Sequence, residues 1–345
     1  MFGTYRTLLA LMVVALHLGG IPIIGAYAVF GFYSLSGYLM TLIMQTNYGY
    51  TLSGVSKYAA NRFLRIYPTY WVSIAFSAAL VLYLGEQFSS DYHSSIYFPQ
   101  NISESIKNIF LFFPFRESPR LTPPAWALTV EIFFYILIGL GISRNKKIVL
   151  VWLLVSVIYH LAAIRLNFGW ESRYFTFFAA SLPFSTGAFI YHYKDKLLEH
   201  VSQVKGRAGD LLPFIIVFFI LLNWLVGHLT GKSEGLFFYS NYILCALMVL
   251  VLSERRSLPY ISKKFDKWMG DFSYPMYLIH YQVGMIVIVF SDMIGLTYKR
   301  PDITLMLISI PFIFLLSYVF TVIIEKPIEL IRTKVRKSLQ SHTLE

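Results

Sequence analysis

Apolar residues along the 345-residue chain fall into repeated runs of about 18–22 separated by short polar connections, the length an α-helix needs to cross a bilayer. No stretch alternates apolar and polar residues with the period of two that a barrel strand shows. Ten runs are predicted as membrane helices, at 5–21, 23–45, 67–85, 124–142, 147–164, 173–193, 211–229, 236–253, 274–291 and 303–325. The chain is therefore read as an all-α polytopic membrane protein, a single transmembrane domain over 1–345. Two connections are more than turns. The stretch 46–66 ends in NRFLRIYP, with Pro68 expected close to a helix start. The outer loop 86–122 is the longest, and its apolar segment NIFLFFPF (108–115) is expected to lie in the interface or fold over the mouth of the bundle. The tail 326–345 is basic and expected to be helical, an anchor on anionic lipid.

Composition agrees: 57% of residues are hydrophobic and the mean hydropathy is +0.60. No soluble domain is expected. The net charge of +11 invites a nucleic-acid reading, but topology accounts for it better. With the N-terminus in the cytoplasm, 21 of the 29 lysines and arginines fall on the inner side and 8 on the outer, so both termini are expected to be cytoplasmic. The single cysteine, Cys245, lies within an apolar run. No intramolecular disulfide can form, and neither a metal site nor a cleavable leader is expected.

Few ionisable residues interrupt the apolar runs, and these are the candidates for chemistry. In the first run, YRTLLALMVVALHLGG, Arg6 and His17 are eleven residues apart, which places them on one helical face about 16 Å apart along the axis. Such residues face a bundle interior or a wet cavity, because burial in hydrocarbon is costly. The plainer alternative is that Arg6 snorkels to the headgroups and His17 satisfies a neighbouring helix. Glu131, in PPAWALTVEIFFYIL, is expected at a depth similar to His17. A carboxylate beside an imidazole orients the ring and raises its basicity, as a general base requires; the same pair could equally lock two helices. A second set, Arg6, Arg62, Arg65 and Glu325, is expected at the inner face, where forked guanidinium donors suit an anionic ligand. Ordinary positive-inside charge is the competing explanation. His280, in SYPMYLIHY, reads as a lone helix histidine about 9 Å from the cytoplasmic end of its run. The small-residue run SLSG (34–37) reads as a close-packing surface rather than a nucleophile.

Taken in order, the segments Arg6-x10-His17, GFYSLSGYLM (31–40), NRFLRIYPTYW (61–71), AWALTVEIFFY (125–135), FSYPMYLIHY (272–281) and IEKP (324–327) resemble the integral-membrane acyltransferase type 3 family, which includes O-antigen, peptidoglycan and exopolysaccharide O-acetyltransferases. The resemblance implies a multi-pass protein of the bacterial inner membrane, acetyl-CoA as cytosolic acyl donor and an envelope carbohydrate or lipid-linked glycan as acceptor, with no nucleic-acid partner. It implies catalytic roles for His17 and Glu131 and donor-binding roles for Arg6, Arg62, Arg65 and Glu325. Trp126 and His280 are set against the acceptor. IFFY after Glu131 departs from the second acidic residue that many members carry. The fused extracytoplasmic SGNH domain of some members is not expected, so an acceptor relay would need another protein. Two rival readings stand beside this one: a transporter or flippase of a lipid-linked sugar, and an acyltransferase with a cytoplasmic acceptor.

Overall fold

The computed structural model describes residues 2–117, 119–201, 207–255 and 258–337. Lys205 and Arg256, counted in the charge tally above, and the tail beyond 337 lie outside them. Among the described residues the chain is helical throughout, in the order α1 (Gly3–His17), α2 (Ile24–Ile43), α3 (Leu52–Leu84), α4 (Glu86–Tyr92), α5 (Ile102–Phe110), α6 (Ala125–Gly139), α7 (Lys146–Arg165), α8 (Trp170–Tyr174), α9 (Phe177–Val201), α10 (Arg207–Leu229), α11 (Leu236–Arg255), α12 (Lys263–Met293), α13 (Ile303–Phe320) and α14 (Lys326–Lys337). Wide π-type turns, Met44–Tyr48 and Thr321–Glu325, follow α2 and α13.

Each predicted run carries a helix, but their lengths differ from expectation. Among the described residues seven are long and apolar enough to cross a membrane, and the protein is a multi-pass membrane protein. Helices α1 and α6 have 15 residues each, about 22 Å against a hydrocarbon core of about 30 Å. Helix α9 is long enough, yet its second half, YHYKDKLLEHV, is polar. Two helices begin earlier than hydropathy predicts. Helix α3 starts at Leu52, so NRFLRIYP is helical and Pro68 sits in the helix interior, where its ring nitrogen cannot donate to the carbonyl of Leu64. Helix α12 starts at Lys263, which puts His280 about 25 Å from its N-terminus instead of 9 Å.

The helices cluster into two compact units. Unit one comprises Met1–Leu9, Pro22–Ala59 and Glu131–Gly270, and unit two Ala10–Ile21, Ala60–Val130 and Asp271–Glu345.

In unit one, α2 packs on α9 and α11, α7 on α9, and α10 on α11. The α2–α9 crossing is made at glycines: a Cβ at Gly37 would lie 2.2 Å from the Phe184 carbonyl oxygen, and one at Gly187 2.0 Å from that of Ser34. Small residues let membrane helices approach this closely, which is the packing role read for SLSG. Beside the crossing, Phe30 meets Phe238 edge to face with centroids 4.7 Å apart, and Phe184 stacks on Phe134 at 4.4 Å.

In unit two, polar side chains tie α3, α12 and the outer loop together. Ser73 and Ser77 on α3 reach Gln282 on α12, and Ser73 also meets Thr122 at 3.1 Å. The outer loop is not structureless: it contains α4 and α5 and hangs on α3 by Tyr67, Tyr70 and Trp71, which donate to the carbonyls of Phe110, Asn108 and Ile109. Ile109, Phe110, Phe112 and Phe115 of NIFLFFPF are exposed, as a segment lying in a lipid interface requires.

Alanine at Gly37 is expected to force α2 and α9 apart and to destabilise the protein by about 1–3 kcal/mol. Thermal unfolding in detergent checks this, with Gly169→Ala, where a Cβ meets nothing within 4 Å, as the unaffected control.

Candidate active site

His17 is the last residue of α1, and its side chain is met by one from the middle of α12. His17 Nδ1 and His280 Nε2 are 2.9 Å apart. The rings are nearly coplanar, at 7°, with centroids 5.1 Å apart, so they lie edge to edge along an in-plane hydrogen bond. On its other side, His280 Nδ1 lies 3.2 Å from the Met276 carbonyl oxygen one helical turn back. A carbonyl only accepts, so neutral His280 carries its proton on Nδ1 and its Nε2 must accept. His17 then donates from Nδ1, which leaves the lone pair on its Nε2. His280 is fully buried, whereas His17 is half-buried. The pair is a buried orienting imidazole behind a reachable basic one.

Glu131, in unit one, accepts from Ser36 Oγ at 2.6 Å and from the Tyr135 hydroxyl. The group that meets the His17 ring is His280, which the sequence reading had set against the acceptor. The reading missed this because it began the helix at 274 and so misjudged the depth of His280. Tyr135 was legible, since residues four apart on a helix are neighbours.

The His17 main chain is held as well. Arg300, just before α13, donates from Nη1 to the His17 carbonyl and from Nε to the Tyr92 carbonyl, both at 3.0 Å. The His17 carbonyl is among those a helix end leaves unsatisfied, and a cation there is favourable. The Arg300 guanidinium lies 5.2 Å from the ring centroid of Tyr92 and 5.0 Å from that of Tyr281, whose ring is in turn 5.0 Å from that of His17. Trp126, the other residue set against the acceptor, lies under the guanidinium of Arg116 at 5.9 Å.

A second cluster of unit two surrounds Glu325. Its carboxylate pairs with Arg65 and accepts from Thr69 Oγ1 at 2.7 Å. Arg62 donates to Asn61 Oδ1 at 2.8 Å, and the same oxygen accepts from Arg332 Nε and Nη2 at 3.2 and 3.1 Å. Arg332, read from sequence only as part of a basic tail, thus joins Arg62 through one fully buried asparagine. Arg65 also lies 5.4 Å from the ring centroid of Tyr274, whose hydroxyl donates to the Ile66 carbonyl. Tyr274 and His280 share α12, six residues or about 9 Å apart along its axis. Arg6 falls in unit one, where it donates to the Gly270 carbonyl at 3.2 Å.

A helical multi-pass protein with a paired-imidazole centre on α1 and α12 and an arginine cluster on α3 and α14 is the class defined so far. A family model described as an acyltransferase domain matches residues 4–325, and the chain belongs to this integral-membrane acyltransferase type 3 family. It is 25% identical over 356 aligned residues to the peptidoglycan O-acetyltransferase OatA of Listeria monocytogenes, covering 94% of this chain and 54% of that protein. The chain therefore spans about half the length of that relative. It is also 25% identical over 214 residues to an uncharacterized protein of Aquifex aeolicus, covering 61% of this chain and 89% of that one. No solved structure matches.

His93, in the outer loop, accepts from the Ser95 main-chain N–H through Nδ1 at 3.1 Å, and its ring packs edge-on against Tyr281 at 5.0 Å. Burial, then Arg300, Arg120 and Arg116, push its pKa down to about 3. The unfolded chain, with an ordinary histidine near 6.5, binds more protons between these values. Stability of this loop is therefore expected to fall as pH drops from about 6.5 towards 3. Amide exchange over 86–122 at pH 7 and pH 4.5 measures it, and His93→Gln should flatten the dependence.

Proposed function

We propose that this protein is an O-acyltransferase of the bacterial cytoplasmic membrane, moving an acetyl group from cytosolic acetyl-CoA to a hydroxyl of a cell-surface polysaccharide or its lipid-linked precursor, of which lipopolysaccharide O-antigen is one candidate. The observation that carries the reading is the His17–His280 pair. Family membership and the likeness to OatA support the reaction class. The charge tally of the sequence supports cytoplasmic termini, and with them the arginine cluster on the cytoplasmic side.

In this reading Arg62, Arg65 and Arg332 bind the phosphates of CoA. Forked donors match phosphate oxygens, and Glu325 holds Arg65 in position. The pantetheine arm then runs beside α12 towards His280. An acceptor hydroxyl lies against His17 Nε2, which takes its proton while the oxygen attacks the thioester carbonyl. The carbon–sulfur bond breaks, and the thiolate leaves with the proton returned by the imidazolium. His280 keeps the His17 lone pair on Nε2 by accepting from Nδ1, the part a third group plays in nucleophile–base arrangements. Glu131, hydrogen-bonded to Ser36 and Tyr135, is assigned to the integrity of its own helix packing, not to His17.

Purified protein in nanodiscs, given acetyl-CoA and an envelope-glycan acceptor, should release CoA thiol with appearance of an O-acetyl ester. His17→Ala should lose at least about 10²-fold, since a general base contributes 10²–10⁴-fold. Absence of thiol release would favour a flippase, and retention of more than about a tenth of the activity would remove His17 from the chemistry. His280→Phe should lower kcat with little change in KM for either substrate and should shift the acid limb of the pH–rate profile, where the base is protonated, which a packing defect alone would not do. Arg62→Ala and Arg65→Ala should each weaken CoA binding by roughly tenfold, with lysine a poor rescue because it lacks the fork. Calorimetric affinities equal to wild type would leave these arginines as topology signals.

A further inference from the structure

Around the half-buried face of His17, unit two gathers more positive charge than the acyl-transfer reading uses. Arg120 is 4% exposed. Its Nη1 donates to the carbonyls of Arg116 and of Glu117, the latter at 2.8 Å, and its Nη2 donates to Ser95 Oγ at 3.0 Å. Arg300 is held by the carbonyls of His17 and Tyr92. These acceptors are neutral: they satisfy N–H groups without themselves cancelling the charge. The carboxylate acting on Arg120 is that of Glu117, which is itself 3.6 Å from Lys107. Arg116 stands over Trp126. Burial and Arg116 together bring Arg120 down to about 10, and all three arginines act on His93. A neutral histidine, a tyrosine wall made by Tyr92 and Tyr281, and three guanidinium groups therefore line one region beside the basic histidine.

Cations withdrawn from water need a counter-charge. Two carbonyls occupy two of the five donors of Arg300, so its fork retains capacity for a further acceptor. The cluster is also distinct from the arginines around Glu325. Arg300 precedes α13 and Glu325 closes the π turn after it, and the intervening 23 residues span about 34 Å. A CoA phosphate group seated at one end therefore does not neutralise the other.

We infer that Arg116, Arg120 and Arg300 form an anion-recognition site beside His17, so that the acceptor is an acidic glycan whose carboxylate or phosphate these residues hold while its hydroxyl meets the imidazole. The inference rests on the acyl-transfer reading for the identity of the ligand as acceptor. It adds the substrate's charge. The anion has two sources, a uronic-acid carboxylate within the sugar or the phosphate of a polyprenyl carrier. Tyr92 and Tyr281 are buried and hold the Arg300 guanidinium over their rings.

The test uses full-length protein in nanodiscs and three probes: a uronic-acid oligosaccharide, the same oligosaccharide with its carboxyl reduced, and a neutral oligosaccharide on polyprenyl phosphate. Calorimetric binding is measured without donor, and KM and kcat by thiol release with acetyl-CoA. At least one acidic probe should bind about tenfold more tightly than the carboxyl-reduced one, and raising ionic strength should erase the difference. Whichever acidic probe shows the preference identifies the source of the anion. Arg116→Gln should raise KM for that probe roughly tenfold, as loss of a charge-assisted contact does, with kcat and the neutral probe unchanged. Arg116→Lys should restore most of the binding. Equal, salt-independent binding of all three probes would overturn the inference. The salt series needs no variant, so a misfolded substitution does not obscure it. Binding decides the anion site, and thiol release separately decides the acyltransferase.

Discussion

The hydrogen bond from His17 Nδ1 to His280 Nε2 is the constraint on which the rest of unit two turns. It needs α1 to stop with His17 at its end, and it needs α12 to pass with the right face at mid-length. It also sets the protonation pattern of both rings, because the Met276 carbonyl allows His280 one tautomer. Arg300 completes the restraint from the main-chain side by holding the His17 carbonyl. A side chain at a helix terminus is ordinarily among the freer ones in a fold. Here both its backbone and its ring are fixed by partners far away in sequence.

Unit two treats its two arginine groups differently. Around Glu325, carboxylates balance guanidinium groups directly, Glu325 pairing with Arg65 and Glu329 with Arg332, so the cluster is ordered before any ligand arrives. Around Arg300 and Arg120, the acceptors are carbonyls and a hydroxyl, which fix position without cancelling charge. Preformed geometry with a residual field is what a recognition surface requires.

Much of this was legible in the chain. Runs of apolar residues located every long helix, and Arg62 and Arg65, three apart, did fall on a helix facing Glu325. The small residues of SLSG read correctly as a close-packing surface. What hydropathy misjudged was helix length, because KKFDKWMGDF at the start of α12 is too polar to resemble a membrane segment while still being helical. That error hid the meeting of His280 with His17. The pairing of Arg332 with Asn61 joins residues 271 apart, and no local pattern encodes such a contact. Arg300 was hidden in the tally of outer charges for the same reason.

The π turn at Thr321–Glu325 carries a consequence for how this chain tolerates change. A π turn is equivalent to one residue inserted into an α-helix, and removing a residue there would let the helix close to regular geometry. Everything beyond would rotate by about 100°. Arg332 would leave the oxygen of Asn61, and Glu325 would turn from Arg65 and Thr69, although no contacting side chain had been altered. The segment acts as a phase setting between α13 and α14. Substitution at Val322, Ile323 or Ile324 leaves both sets of contacts in place, whereas a change in length disturbs the Glu325–Arg65 ion pair and the Arg332–Asn61 hydrogen bonds at once.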